Sequence, residues 1–64
     1  MKILQLTNEK GERFYVNCAN VLYMQRPAGQ ALTHVVLVNS HLLLAKESIA
    51  EIDEKLRILE RRYT

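Results

Sequence analysis

The sequence predicts an α+β domain in which five short antiparallel strands, arranged as a β-meander or a small open barrel, precede one C-terminal amphipathic helix. Residues 1–46 hold five segments rich in β-branched, aromatic and leucine residues, separated by short polar connections. From residue 48 onward the apolar residues instead recur at three- and four-residue spacing. Antiparallel pairing is favoured because a parallel pair needs a crossover of about a dozen residues or more.

The first two predicted strands form a hairpin. They are Met1–Thr7 and Arg13–Asn17, and the segment Asn8–Glu12 between them has the composition of a turn. A short break at residues 18–20 separates this hairpin from a third predicted strand, Val21–Gln25.

The last two predicted strands follow a loop. Pro27 and Gly29 mark this loop, which reaches about Leu32. Thr33–Val38 then has the strongest β-strand composition in the chain, and after a polar interruption Leu42–Lys46 completes the set.

The predicted helix begins with a capping box. Ser48 is a favoured N-cap residue, and Glu51 stands three positions later, where its carboxylate can accept a backbone N–H bond. The helix is expected to run from Ser48 to about Arg62, with acidic residues near its start and basic residues near its end, as the helix dipole favours. Two ion pairs at four-residue spacing are expected, Glu51–Lys55 and Asp53–Arg57. The apolar stripe consists of Ile49, Ile52, Leu56, Leu59 and Tyr63.

Length and composition indicate one small globular domain spanning residues 1–64. The chain has 64 residues, of which 48% are hydrophobic and 25% are charged, with a net charge of +2. No apolar run approaches the roughly 18 residues that a membrane span needs. The N-terminal segment lacks the apolar stretch of a signal peptide, and the lone Cys18 suits a reducing compartment, so a cytoplasmic location is expected.

Alternation along the predicted strands gives two faces, and both are apolar. If no bulge intervenes, one face carries Leu4, Leu6, Phe14, Val16, Leu22, Met24, Val35, Leu37, Leu42 and Leu44. The other face then carries Ile3, Tyr15, Val21, Tyr23, Val36, Val38 and Leu43. One helix can cover only one of them.

The uncovered face predicts self-association, since monomers rarely expose large apolar patches. Ile58 also lies nearly opposite the helix stripe and is expected to point outward. The sequence therefore predicts a non-catalytic protein–protein interaction module that forms a homo-oligomer. Its expected interface residues are Tyr15, Tyr23, Val36, Val38 and Ile58.

The sequence offers no pattern for catalysis, and we predict no catalytic, cofactor-binding or metal-binding residues. Cys18, His34 and His41 do not stand at metal-ligand spacing. The two glycines lie too far apart to form a phosphate-binding loop. The early carboxylates of the helix are explained by the helix dipole, so no enzyme is expected.

Nucleic-acid binding is the alternative function. Tyr15 and Tyr23 would stack on bases if they were neighbours on an exposed sheet face, with arginines nearby for phosphate. Oligomerisation would align several copies of such a weak patch. The candidate arginines are Arg13, Arg26, Arg57, Arg61 and Arg62.

Several short segments along nearly the whole chain follow a recognisable order: Leu6-Thr7, Gly11, Phe14-Tyr15-Val16-Asn17, Val21-Leu22-Tyr23, Val35-Val36-Leu37-Val38-Asn39, Ala45-Lys46-Glu47-Ser48 and Glu51-Ile52. In this order the chain resembles the FlbD/SwrD family of small proteins associated with bacterial flagella and swarming. The resemblance implies a flagellar or motility accessory role and no catalytic residues.

Overall fold

A computed structural model of the chain describes residues 2–63, with side chains described through residue 61. Within that range the fold is α+β, with antiparallel strands followed by a C-terminal helix, as predicted. Met1 and the side chains of Arg62 and Tyr63, which the sequence placed in a strand or on the helix, lie outside the described part. The elements are β1 (Ile3–Thr7), β2 (Arg13–Asn17), a 3₁₀ turn (Cys18–Asn20), β3 (Val21–Gln25), β4 (Thr33–Leu37), β5 (Leu42–Ala45) and α1 (Ile49–Tyr63).

The strands of residues 2–63 divide into two sheets rather than forming one continuous meander. β1 pairs with β2, while β3, β4 and β5 form a second sheet in chain order. The 3₁₀ turn lies between β2 and β3. Asn17 caps this turn, since its side-chain oxygen accepts the Ala19 N–H. The sheets do not close into a barrel.

Hydrogen bonds between the end of β1 and the residues just after β5 hold the two sheets together, and we call this set of bonds the joint between the sheets. The Lys46 N–H donates to the Thr7 carbonyl at 2.8 Å. Both carboxylate oxygens of Glu47 accept bonds from Thr7, one from its backbone N–H and one from its hydroxyl, each at 2.9 Å. The buried hydroxyl of Thr33 donates to the Glu47 carbonyl at 2.6 Å. Glu47 therefore links β1, β4 and the segment that leads into the helix.

A bulge at Leu22 changes which residues of β3 face the core. Val21 lies opposite Leu37 and Tyr23 lies opposite Val36, so the pairing shifts by one residue between Val21 and Tyr23. Leu22 is exposed, whereas Val21 packs against the core, which reverses their predicted faces.

The predicted faces of β5 are also reversed. Leu43 pairs with Val35 and packs against the core, and Ala45 is buried. Leu42, which the sequence assigned to the inner face with Leu44, is exposed. The prediction failed because consecutive leucines have no polar alternation from which a face can be identified.

The helix begins as predicted. Ser48 and Glu51 form a reciprocal capping box, in which the Ser48 N–H donates to Glu51 Oε1 at 2.9 Å and the Glu51 N–H donates to Ser48 Oγ at 3.1 Å. Glu51 is thereby engaged, and it does not form the predicted ion pair with Lys55. The other predicted pair, Asp53–Arg57, is present at 3.2 Å.

One side of the helix completes the hydrophobic core. Ile52 is buried against Leu4, Leu6, Val16, Val35 and Ala45, while Leu56 and Leu59 pack beside them. Ile49, at the start of the predicted stripe, is 42% exposed, so close packing on the sheets begins at Ile52, the fourth residue of the helix.

The turn between β4 and β5 contains a backbone conformation that serine rarely adopts. Ser40 has a φ of 70°, and its N–H donates to the Leu37 carbonyl at 2.9 Å. We expect Ser40→Gly to raise the free energy of unfolding by about 0.5 kcal/mol, because glycine adopts positive φ without steric cost. Urea denaturation checks this, and a lower stability for Ser40→Gly would contradict the assigned strain.

Candidate functional site

The candidate site lies on the three-stranded sheet, on the side away from the core. Tyr23, Val36 and Leu42 occupy the same row across β3, β4 and β5. Their side chains point outward because an adjacent residue in each strand, Met24, Val35 or Leu43, packs toward the core.

Two further apolar side chains extend this row. Leu22 is 62% exposed in the β3 bulge, and Val38 is 58% exposed just beyond the end of β4. The Val38 N–H donates to the Asn20 carbonyl at 2.8 Å, which fixes the backbone there. We call these five residues the outer face: Leu22, Tyr23, Val36, Val38 and Leu42.

The neighbouring row of the same sheet is more polar. It contains Gln25, His34 and Leu44, which lie opposite one another across the three strands. The outer face is therefore an apolar area with a polar border on one side, the arrangement typical of protein interaction surfaces.

Two of the predicted interface residues lie elsewhere. Tyr15 is exposed on the two-stranded sheet, across from Gln5. Ile58 is 42% exposed on the helix and lines a groove beside Ile3. The structure thus brings together Tyr23 and Val36 and places Val38 next to them, but it does not add Tyr15 or Ile58 to the same surface.

The outer face also contains two residues that the sequence prediction missed. The sequence places Leu22 on the inner face because regular alternation omits the β3 bulge, and it places Leu42 there because three consecutive leucines give no polar alternation. For Leu22 the sequence carries no signal of the bulge. For Leu42 the short Asn39-Ser40-His41 connection was the only available clue to the register.

The described arginines proposed for nucleic-acid binding lie on β2, in the loop after β3 and on the helix, where Arg57 and Arg61 stand one turn apart. Arg13 begins β2, opposite Thr7. The Arg26 guanidinium donates to the carbonyls of Gln30 and Ala31, so it holds the loop after β3. Arg57 is paired with Asp53 on the exposed side of the helix. Arg61 is exposed at the C-terminal end, and nucleic-acid binding stays a prediction.

The three candidate metal or nucleophile residues are separate in the fold. Cys18 is half-buried beside the core, His34 lies in β4, and His41 Nδ1 lies 3.2 Å from the side-chain amide of Asn39. Among the described residues no three His, Cys, Asp or Glu side chains gather as metal ligands. The described helix is not of the length and apolarity needed to cross a bilayer.

Among the described titratable groups, Glu47 has the clearest shift in pKa. Its partial burial raises the pKa, but the bonds from the Thr7 N–H and hydroxyl, with the nearby positive charge of Lys55, outweigh that effect and hold the pKa below its ordinary value of 4.5. The lowered pKa means that the ionised carboxylate, which accepts both Thr7 bonds, stabilises the joint between the sheets.

Comparison with known proteins gave no relative: no family model, curated protein or solved structure matches the chain.

Proposed function

We propose that this chain is a non-catalytic interaction module that self-associates through the outer face. The observation that carries the proposal is the cross-strand row in which Tyr23 and Leu42 are exposed and Val36 is half-buried between them, while the helix packs on the opposite side of the sheet. Removing apolar surface from water stabilises a complex by roughly 25 cal/mol per Å². A second copy that covers this row gains that free energy.

The size of the outer face indicates a reversible complex. Three strands about 4.8 Å apart and five residues long at about 3.4 Å per residue give a projected area of roughly 250 Å². A standard interface buries about 800 Å² on each partner. We therefore expect a monomer–dimer equilibrium that depends on concentration in the micromolar range or above.

Sedimentation velocity over a range of concentrations tests this proposal. Leu42→Lys is expected to raise the dimer dissociation constant about tenfold or more, because an unpaired charge at the interface resists desolvation. Ile49→Lys is the matched control, an exposed apolar residue on the helix, and is expected to leave the equilibrium unchanged. A wild-type chain that stays monomeric at millimolar concentration, or equal effects of the two substitutions, would refute the proposal.

The resemblance to the FlbD/SwrD family supports a narrower proposal, a motility accessory role in the cytoplasm. Deleting the gene in its native host and measuring swarming tests it. Swarming should be lost, then restored by the wild-type chain and not by Leu42→Lys. Unchanged swarming in the deletion strain would exclude the role.

A further inference from the structure

A second surface of the molecule combines an open strand edge with an apolar groove. The groove lies between β1 and the second half of the helix and encloses about 190 Å³. Its walls are Ile3, Leu4, Gln5, Lys55, Ile58 and Leu59. None of these residues belongs to the outer face, so this surface is distinct from the one proposed for self-association.

The hydrogen bonds of β1 show which backbone groups line this edge. The Lys2 carbonyl accepts the Cys18 N–H on the β2 side of the strand. Thr7 bonds on the opposite side, where its N–H donates to Glu47 and its carbonyl accepts the Lys46 N–H. Backbone groups of an antiparallel strand alternate in direction, so the N–H and C=O groups of Ile3 and Gln5 point to the same side as those of Thr7.

The edge at Ile3 and Gln5 is left open by the course of the chain. Past Lys46 and Glu47 the backbone turns into the helix, so β5 does not continue beside β1. In the described part of the chain β1 pairs only with β2. Unpaired strand edges of this kind bind extended peptides, which add a strand and place alternate side chains into adjacent pockets.

The groove supplies both an apolar pocket and a charge for such a strand. Leu4, Ile58 and Leu59 form an apolar wall where an added side chain opposite Leu4 would point. Lys55 is the charged residue among the described groove walls. The volume is below the roughly 300 Å³ of sites that hold small-molecule ligands, and it suits single side chains.

From this arrangement we propose that the β1 edge binds an extended segment of a partner protein that carries an apolar and an acidic side chain two positions apart, so that both lie on the helix side of the added strand. Charge favours this occupant over a second copy of β1. Antiparallel pairing of two β1 strands would bring Lys2 of one copy toward Lys55 of the other, and like charges at close range oppose such pairing. An acidic segment instead complements Lys55.

The probe is a fluorescein-labelled peptide in which valine and glutamate stand two positions apart on one face of the extended chain, with threonine at the positions between them. Binding is measured by anisotropy, and the backbone amides of β1 are followed by NMR. We expect the Ile3 and Gln5 amide signals to shift more than those of β4. Methylating alternate peptide nitrogens should weaken binding about tenfold, because each methyl removes a strand hydrogen bond. The same peptide with lysine in place of glutamate should bind several-fold more weakly, and Lys55→Gln should abolish that difference.

Ile58→Asp and Ile49→Asp provide a matched pair, since both isoleucines are 42% exposed on the same helix. Ile58→Asp should weaken peptide binding about tenfold or more, and Ile49→Asp should leave it unchanged. The proposal is overturned if millimolar peptide shifts no β1 amide, if the two variants bind alike, or if β1 amides become protected with rising protein concentration alone, which would show self-pairing. Leu42→Lys should bind the peptide normally, so failure of self-association and failure of this proposal are distinguishable.

Discussion

Ile52→Ala is expected to lower the free energy of unfolding by about 3 kcal/mol, the largest effect of a single substitution that the structure predicts. Ile52 is 1% exposed and is the helix residue that enters the core cluster of Leu4, Leu6 and Val35. Removing its side-chain atoms leaves a cavity between the helix and both sheets. Urea denaturation followed by circular dichroism measures the loss, which is large for a domain of 64 residues.

Ile49→Ala is the control for this substitution. It removes the same atoms from the same helix, but Ile49 is 42% exposed, so we expect a loss below about 1 kcal/mol. A partly unfolded Ile52→Ala protein should also bind a hydrophobic dye, because loosening the helix exposes the inner face. Equal losses for the two variants would contradict docking of the helix through Ile52.

Glu47→Gln is expected to destabilise the protein by about 1 kcal/mol at pH 7, because the charged carboxylate accepts two bonds from Thr7 that solvent weakens at this partly buried position. The pKa of Glu47 is lower in the folded chain than its ordinary value of 4.5. Its contribution is therefore fully present well above pH 4.5 and is lost as the pH falls through the folded-state pKa. The difference between wild type and Glu47→Gln should shrink over that acidic range. Urea denaturation at pH 7 and at pH 3 measures it.

Glu54→Gln provides the comparison, since Glu54 is exposed on the helix. It should change the stability by less than about 0.5 kcal/mol at either pH. A difference between wild type and Glu47→Gln that stays constant from pH 7 to pH 3 would show that the carboxylate charge does not stabilise the joint between the sheets.

Local features of the fold were predictable from the sequence. The capping box needs only Ser48 and Glu51 at three-residue spacing, and the first hairpin needs only two β-rich segments around a turn. Such features depend on neighbours in the chain. The core position of Ile52 likewise follows from helical periodicity.

Features that depend on long-range contacts were not predictable. The split into two sheets reflects the Asn17-capped 3₁₀ turn and the joint at Thr7 and Glu47, residues 40 positions apart. The bulge at Leu22 exchanges the faces of Val21 and Leu22, while Tyr23 and Met24 keep the faces that alternation predicts. The predicted site therefore retains Tyr23, Val36 and Val38 but misses Leu22, because of the bulge, and Leu42, because consecutive leucines do not identify a face.

We propose above that copies of this chain associate through the outer face. Mixing isotope-labelled and unlabelled chains at millimolar concentration and recording intermolecular NMR contacts tests it directly. We expect contacts between the Tyr23 ring of one copy and the methyl groups of Val36 and Leu42 of another. Intermolecular contacts confined to the helix or to β1, or none at all, would contradict it.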